Sequence, residues 1–385
     1  MNTSKFRNGL ALAILLAVVN CNKLKADPPA ILSLTMSGGA PQLVITSEVG
    51  ATNEIMSITD WGATNWGVLT NQVVTQSPYT FTDTANQVGS QRFYRVAVLA
   101  SPSNSPPPGM ALIPAGVFQM GDDFNEGAQY EVPVHTVYVS AFYMDKYEVT
   151  FALWNQVLGW SATNGYSFDN LGSGKATNHP VQMVSWYDVV KWCNCRSEME
   201  GLLPSYYADS NLTEVYRTGD VEPYVNWYAG YRLPTESEWE KADRGGASGH
   251  RFPWSNTDTI SHSQANYYSG DTNDYPYDVS PTSGYNPAFV DGAMPYTSPV
   301  GYFAPNGYGL YDTAGNVWEW CWDYAGNYSS DMETDPRGPA TGDTRVGRGG
   351  NWNYYAVDCR DSYRYGNPPT DTASNIGFRT ALPVP

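Results

Sequence analysis

Few residues in this chain have the types and spacing that chemistry demands. Five cysteines occur, and removal of the N-terminal leader described below would leave four, Cys193, Cys195, Cys321 and Cys359. Thiolates are nucleophiles and soft metal ligands, so these four are the first groups to weigh. In an oxidising compartment an even count also permits disulfides, with three possible pairings. Cys193 and Cys195 would point about 200° apart around one helix and are poorly placed to pair with each other. His135, His179, His250 and His262 are scattered, without the paired spacing of a zinc site or a facial iron triad. No Gly-x-Ser-x-Gly elbow, phosphate-binding loop or dinucleotide fingerprint is present.

Any such groups must be positioned by a chain of 385 residues, enough for one large domain and a small one. A formal charge of −17 leaves no basic surface for nucleic acid or an anionic membrane. With 29 Tyr, 13 Trp and 36 Gly but only 15% charged residues, the composition suits short strands and ordered loops, not a helical bundle. Residues 1–26 read as a signal peptide: Lys5 and Arg7, an apolar run from Leu10 to Val19, and Ala26 before the cut. That run is too short to span a bilayer, and no later segment is long enough. The mature chain is therefore expected to be secreted, periplasmic or at the cell surface. Lipidation at Cys21 is the rival reading, opposed by Asn20 in front of it.

Residues 29–100 carry short apolar runs (Ile31–Met36, Leu43–Thr46, Trp66–Thr70, Tyr79–Phe81, Phe93–Leu99) between turn signals, the pattern of a small all-β sandwich. The segment has no Cys or His and reads as a spacer or attachment module. Ser101–Gly109 is a Pro/Ser linker, and a second domain covers 110–384. There, Ala111–Gly121 reads as strand, turn, strand, with further strands at His135–Val139 and Phe142–Lys146. Thr150 can cap a helix over Phe151–Leu158, stopped by Gly159. Ser185 opens a second helix with Trp186, Val189, Val190 and Cys193 on one face, ended by Gly201. Thr235-Glu-Ser-Glu238 is a full capping box opening a third, closed by Gly245-Gly246. After that, periodicity disappears for about 60 residues, a length that bound ions, ordered side chains or disulfides must hold.

Seven collinear segments of the second domain resemble the formylglycine-generating enzyme (sulfatase-modifying factor) family. They are Ile113–Gly121, Phe142–Thr150, Pro180–Trp186, Tyr231–Trp239, Tyr308–Trp320, Arg348–Trp352 and Ser374–Arg379. The resemblance implies a mixed α/β fold of C-type-lectin-like form, low in regular secondary structure and stabilised by calcium. Active members hold copper with two thiolates and oxidise a cysteine of a client sulfatase. Their pattern is Gly-Gly-Ser, a Cys three residues later, and a second Cys five beyond that. Here Gly349-Gly350 is followed by Asn351; counted from there, Tyr354 stands at the first thiolate and Cys359 at the second. Counted back from Arg364 and Gly377-Phe-Arg379, Cys359 misses the second position too, so either way the first thiolate is lost. Copper is therefore not expected, and Cys359 is either a structural cysteine or a lone metal ligand.

For calcium the resemblance implies Asp312, Glu319 and the carbonyls of Gly315 and Val317, all hard oxygen donors. A second site maps onto Asn266 and the carbonyl of Tyr267, with Asp291 as a substitute for a missing ligand. Trp318, Asn351, Trp352, Tyr354 and Arg364 fall in motifs that surround the family's cleft, where rings and guanidinium forks can hold a peptide, a protein segment or a glycan. Arg379 is expected to pair with a structural carboxylate instead. Cys321 and Cys359 lie in segments the resemblance puts beside that cleft, and export would join them in a disulfide while Cys193 stays buried and reduced. The reading that follows is a binding protein without formylglycine-generating activity. Its alternatives are a divergent metal-dependent oxidase acting on a protein or peptide, and a surface protein with a vestigial cleft.

Overall fold

The computed structural model describes residues 30–37, 40–47, 51–59, 67–84, 92–100, 106–270 and 275–384. The expected signal peptide, Cys21 and residues 101–105 of the linker lie outside these. The chain forms two compact units, one reaching Asn104 and one over Ser105–Pro383.

Six strands build the first unit: β1 (Ala30–Ser37), β2 (Ala40–Thr46), β3 (Thr52–Ile58), β4 (Gly67–Val73), β5 (Tyr79–Thr82) and β6 (Phe93–Ala100). They form two antiparallel sheets, β1-β2-β5 and β4-β3-β6. Burial alternates along β2, as expected for a strand with one face on a core. Leu43, Ile45, Ile55, Tyr79, Tyr94 and Val96 pack together from both sheets, which is the expected sandwich. The sequence pattern misses β3, because Asn53, Glu54 and Ser57 interrupt its apolar residues. Fully buried Asn53 is nevertheless satisfied: Ser47 Oγ donates to its Oδ1 at 3.1 Å and its Nδ2 donates to Tyr79 Oη at 2.9 Å.

In chain order the second unit contains β7 (Met110–Ile113), β8 (Gly116–Met120), β9 (His135–Val139), β10 (Phe142–Asp145), α1 (Phe151–Ser161), α2 (Trp186–Met199), β11 (Tyr206–Tyr207), β12 (Tyr224–Val225) and α3 (Glu236–Asp243). Then come β13 (Tyr268–Ser269), β14 (Gly284–Tyr285), β15 (Trp318–Tyr324), β16 (Glu333–Thr334), β17 (Arg345–Arg348), β18 (Arg364–Asn367), β19 (Ile376–Gly377) and β20 (Ala381–Pro383). The principal sheets are β18-β17-β15-β19, β16-β9-β8 and β20-β10-β7, beside the two-stranded ladders β11-β12 and β13-β14. Phe142 on β10 faces both Ile113 and Pro383, so one sheet holds the start and the end of this unit. Its core draws Ile113, Val137, Phe142, Trp239, Cys321 and Val346 from five strands and a helix.

Helix starts follow the side-chain caps. Thr150, Ser185 and Thr235 accept from the backbone N–H groups of Leu153, Asp188 and Glu238, and the Thr235–Glu238 capping box is complete. Gly159 does not end α1. The helix continues to Ser161, which is buried and whose Oγ donates to Leu158 O at 2.8 Å. α3 does stop as expected, at Gly245 and Gly246 with φ of +59° and +85°. α2 is apolar on more than one face: almost every residue from Trp186 to Ser197 is buried. Among them, Asn194 acts as a strut. Its Nδ2 donates to Tyr206 O and Tyr216 O, while its Oδ1 accepts from the N–H groups of Ser205 and Tyr206.

Among the described residues between Gly246 and Trp318 no helix occurs. Ordered side chains hold that stretch: Asn286 Nδ2 donates to His262 O and Ala265 O, and Tyr267 Oη donates to Asp278 Oδ1 at 2.6 Å. Beneath them Phe252, Ile260, Ala265, Tyr267, Ala314, Ala356 and Cys359 make a second apolar cluster. Among the described residues no helix is long and apolar enough to cross a membrane.

The Asn194 strut yields a prediction. Asn194→Leu strands the N–H groups of Ser205 and Tyr206 and the carbonyl of Tyr216 in the interior, at about 1–3 kcal/mol for each unsatisfied group, while the Tyr206 carbonyl keeps Tyr216 N. Urea unfolding should show a loss of several kcal/mol, whereas a loss below about 1 kcal/mol would mean the strut carries little.

Candidate functional site

At the head of β15, Trp318 is 1% exposed and meets two tyrosine rings, Tyr363 just before β18 and Tyr365 within it. Tyr363 stacks on it at 5.7 Å and Tyr365 at 5.6 Å, while Tyr354 meets it edge-on at 6.3 Å. The indole N–H of Trp318 has no acceptor. Half-buried Tyr354 has a phenol pKa raised by burial and by the neighbouring Tyr365 hydroxyl, to which it is hydrogen-bonded. A cavity of about 400 Å³ borders this sheet, walled by Tyr130, Asn327, Arg364 and Tyr365. Trp352 belongs to a second aromatic group: its Nε1 donates to Ser374 O, and its ring meets Tyr285 and Tyr296. Tyr285 leads on through Tyr268 to Tyr355, which is 45% exposed.

Two of the expected cleft residues have other duties. Asn351 is fully buried, and its Oδ1 accepts from Asn353 N at 2.8 Å within its own turn. The guanidinium of Arg364 is consumed: Nε and Nη2 donate to the two oxygens of Glu236, and Nη1 donates to Tyr130 O and Gly326 O. It walls the cavity with its charge paired by Glu236. Asn367 was overlooked in the sequence, although its two-residue spacing from Tyr365 and Tyr363 places it on the same strand face. It is buried and its Nδ2 has no acceptor.

The four described cysteines are free and buried. The expected Cys321–Cys359 bridge does not form, because the two thiols belong to separate apolar clusters, one beside Trp239 and Val346, the other beside Phe252 and Tyr267. Cys193 is buried and unpaired, as expected. Burial drives the Cys321 and Cys359 thiols far above their ordinary pKa.

A family model for the sulfatase-modifying factor enzyme 1-like domain matches residues 96–384. The chain belongs to this family. It is 35% identical over 318 residues to the formylglycine-generating enzyme of Mus musculus, covering 77% of this chain and 82% of that one. Similarity extends to the inactive Cα-formylglycine-generating enzyme 2 of Bos taurus, at 31% over 305 residues, 71% of this chain and 87% of the relative. Among solved structures, Treponema denticola variable protein 1 superposes with a TM-score of 0.54 at 28% identity, over 78% of this chain and 98% of that one. The sheet-rich architecture with few helices is the one this family adopts.

Membership in the sulfatase-modifying factor family makes copper and calcium the groups to test against the donors present. Copper does not fit. Cu(I) needs thiolates, and Cys359 is a buried neutral thiol with a phenol, Tyr354, at the partner position. For calcium the fit is divided. Asp312 Oδ2 accepts from Gly301 N at 2.5 Å, while the buried Oδ1 has no partner and is suited to a cation. Glu319 is spent: Arg379 donates to both oxygens at 2.6 Å and Trp239 Nε1 to one of them at 2.7 Å. Arg379 thus has the structural role expected of it. Glu148 completes the group, accepting from Asn316 Nδ2 and Val317 N, with its pKa pushed well up by burial and by Asp312 and Glu319. At the second expected site, Asn266 Nδ2 donates to Tyr296 O and the Tyr267 carbonyl faces His262 Nε2. Asp291 does not join them; it forms a surface pair with Lys175 at 2.5 Å. Among the described residues, no group of three or more His, Cys, Asp or Glu is arranged to hold a metal.

The thiol assignment is checked by counting. A thiol reagent should label none of Cys193, Cys195, Cys321 and Cys359 in the native protein and all four after denaturation. A reducible Cys321–Cys359 peptide in the native protein would overturn it.

Proposed function

We propose that this member of the sulfatase-modifying factor family is an exported binding protein without formylglycine-generating activity, whose lectin-like cleft takes an uncharged glycan or peptide. The observation that carries this reading is the pairing of Arg364 with Glu236, which leaves no unpaired charge in a cleft otherwise walled by Tyr130, Tyr365, Asn327 and small or apolar residues. Ring faces without free charge suit hydroxyl-rich or apolar ligands, and a neutral glycan fits better than an Arg-containing sulfatase peptide. Tyr365 and Tyr130 would supply the ring surface, with buried Trp318 stacked against Tyr365 and Asn327 in the wall. A glycan array with the full exported protein should give a neutral ligand whose binding falls at least tenfold in Tyr365→Ala. The same protein supplied with Cu(I), oxygen and a Cys-x-Pro-x-Arg peptide should form no formylglycine. Conversion at a rate comparable to an active family member would replace this reading with the oxidase.

Calcium belongs to the same proposal, at Asp312 and the carbonyls of Gly315 and Val317, and the support for it is the unpartnered buried oxygen of Asp312. An ion bound only by the folded state stabilises it by mass action. Calcium should therefore raise the melting temperature of the wild type and leave Asp312→Asn unchanged. Asp312 is the better probe than Glu319, whose removal would also strand Arg379. Identical melting curves in calcium and in chelator would dismiss the ion.

A further inference from the structure

Away from the cleft, two carboxyl groups face each other in the interior without a donor between them. Asp243 ends α3 and Asp361 precedes β18, and each is 1% exposed. The two side chains are within hydrogen-bonding reach of each other. Yet Asp243 Oδ1 and both oxygens of Asp361 meet no donor, while Thr313 serves the remaining side of Asp243. A carboxyl accepts a hydrogen bond from another only when one of them carries a proton. Two ionised carboxylates so buried would repel each other and lose their hydration together.

The surrounding charges do not neutralise the pair. From α3, Arg244 gives Nε and Nη2 to Glu240 and comes no closer than 3.7 Å to Asp361, with Asp123 at the same distance. From β17, Arg348 is shared by Glu240, Glu236 and the carbonyls of Asp361 and Tyr363. Arg364 is taken by Glu236. Three guanidiniums thus face four carboxylates, Glu236, Glu240, Asp243 and Asp361, before Asp123 is counted. Asp323, against Glu236, is itself pushed to about 8 and stays neutral. Arg251 meets Asp361 through its backbone carbonyl and pairs its side chain with Glu126. On the remaining side lies Cys359, a neutral thiol close enough to sense Asp243. One proton on the pair removes one of the carboxylate charges in excess of the guanidiniums. A divalent cation would need more oxygen donors and would sit beside Arg244 and Arg348.

We propose that Asp243 and Asp361 share one proton and form a pH-sensitive clasp, fastening the end of α3 to the 356–363 segment that leads to Tyr363 in the cleft. The sign of its effect follows from burial, which raises both groups, Asp361 to about 7. An unfolded aspartate releases its proton near pH 3.9. The clasp's contribution is complete below that value and is lost as pH rises toward about 7, because the folded chain keeps a proton that the unfolded chain gives up.

The test compares full-length wild type with Asp243→Asn and Asp361→Asn by urea unfolding from pH 5 to pH 8. Either amide replaces the shared proton with a permanent N–H donor. The ratio of variant to wild-type folding constants should climb about tenfold per pH unit between about pH 5 and 7 and then level off, the slope of one proton. Parallel curves for variants and wild type would overturn the clasp. So would a wild type that loses stability in chelator while the amide variants gain nothing with pH, since a cation would then hold the pair. If neither single variant folds, the double amide, which still sets a donor against an acceptor, carries the same comparison.

Discussion

Buried arginine–carboxylate pairs hold the second unit together. Glu319 on β15 grips Arg379 beside β20, Glu236 and Glu240 on α3 grip Arg348 and Arg364 on β17 and β18, and Glu131 grips Arg360. Each pair ties segments far apart in the chain, 60 residues in the first case and 108 to 229 in the others. Such pairs are expensive to bury and gain little over apolar contacts, but a misaligned one leaves an uncompensated charge. In a domain where long stretches lack helix or strand, that penalty sets the register that repeating hydrogen bonds would otherwise set.

The same lattice shapes what the site can do. Arg364, in a motif suggesting a ligand fork, is a wall because Glu236 claims it. Glu319, in a motif suggesting a metal ligand, is a strut because Arg379 claims it. Among the buried polar groups left without a partner are the indole N–H of Trp318, the amide nitrogens of Asn351 and Asn367, one oxygen of Asp312, and oxygens of Asp243 and Asp361. These groups and the tyrosine rings are what the site offers a ligand, with a phenol, Tyr354, where a second thiolate would stand.

Much of the scaffold is legible in the sequence because it is written locally. Thr150, Ser185 and Thr235 announce the helix starts, Gly245-Gly246 one helix end, and alternating apolar residues most strands of the sandwich. Illegible features depend on partners distant in sequence. Strand β3 hides behind Asn53, whose burial is acceptable only because Ser47 and Tyr79 satisfy it. The continuation of α1 through Gly159 depends on a buried Ser161. Placing Cys321 and Cys359 in neighbouring motifs suggested a bridge, but sequence motifs do not reveal which apolar cluster each thiol enters. Likewise, a motif shows that Glu319 and Arg364 are present and cannot show which opposite charge reaches each first.

The most direct test of the ionic lattice is a double-mutant cycle on a fully buried pair, using Arg379→Met, Glu319→Leu and the two together, with stability measured by urea unfolding. Each single change strands a buried charge and should cost roughly 3–5 kcal/mol, while the double change strands none and should recover most of that loss. Equal additivity, with the double variant losing the sum of the singles, would contradict the claim that the pair acts as one unit.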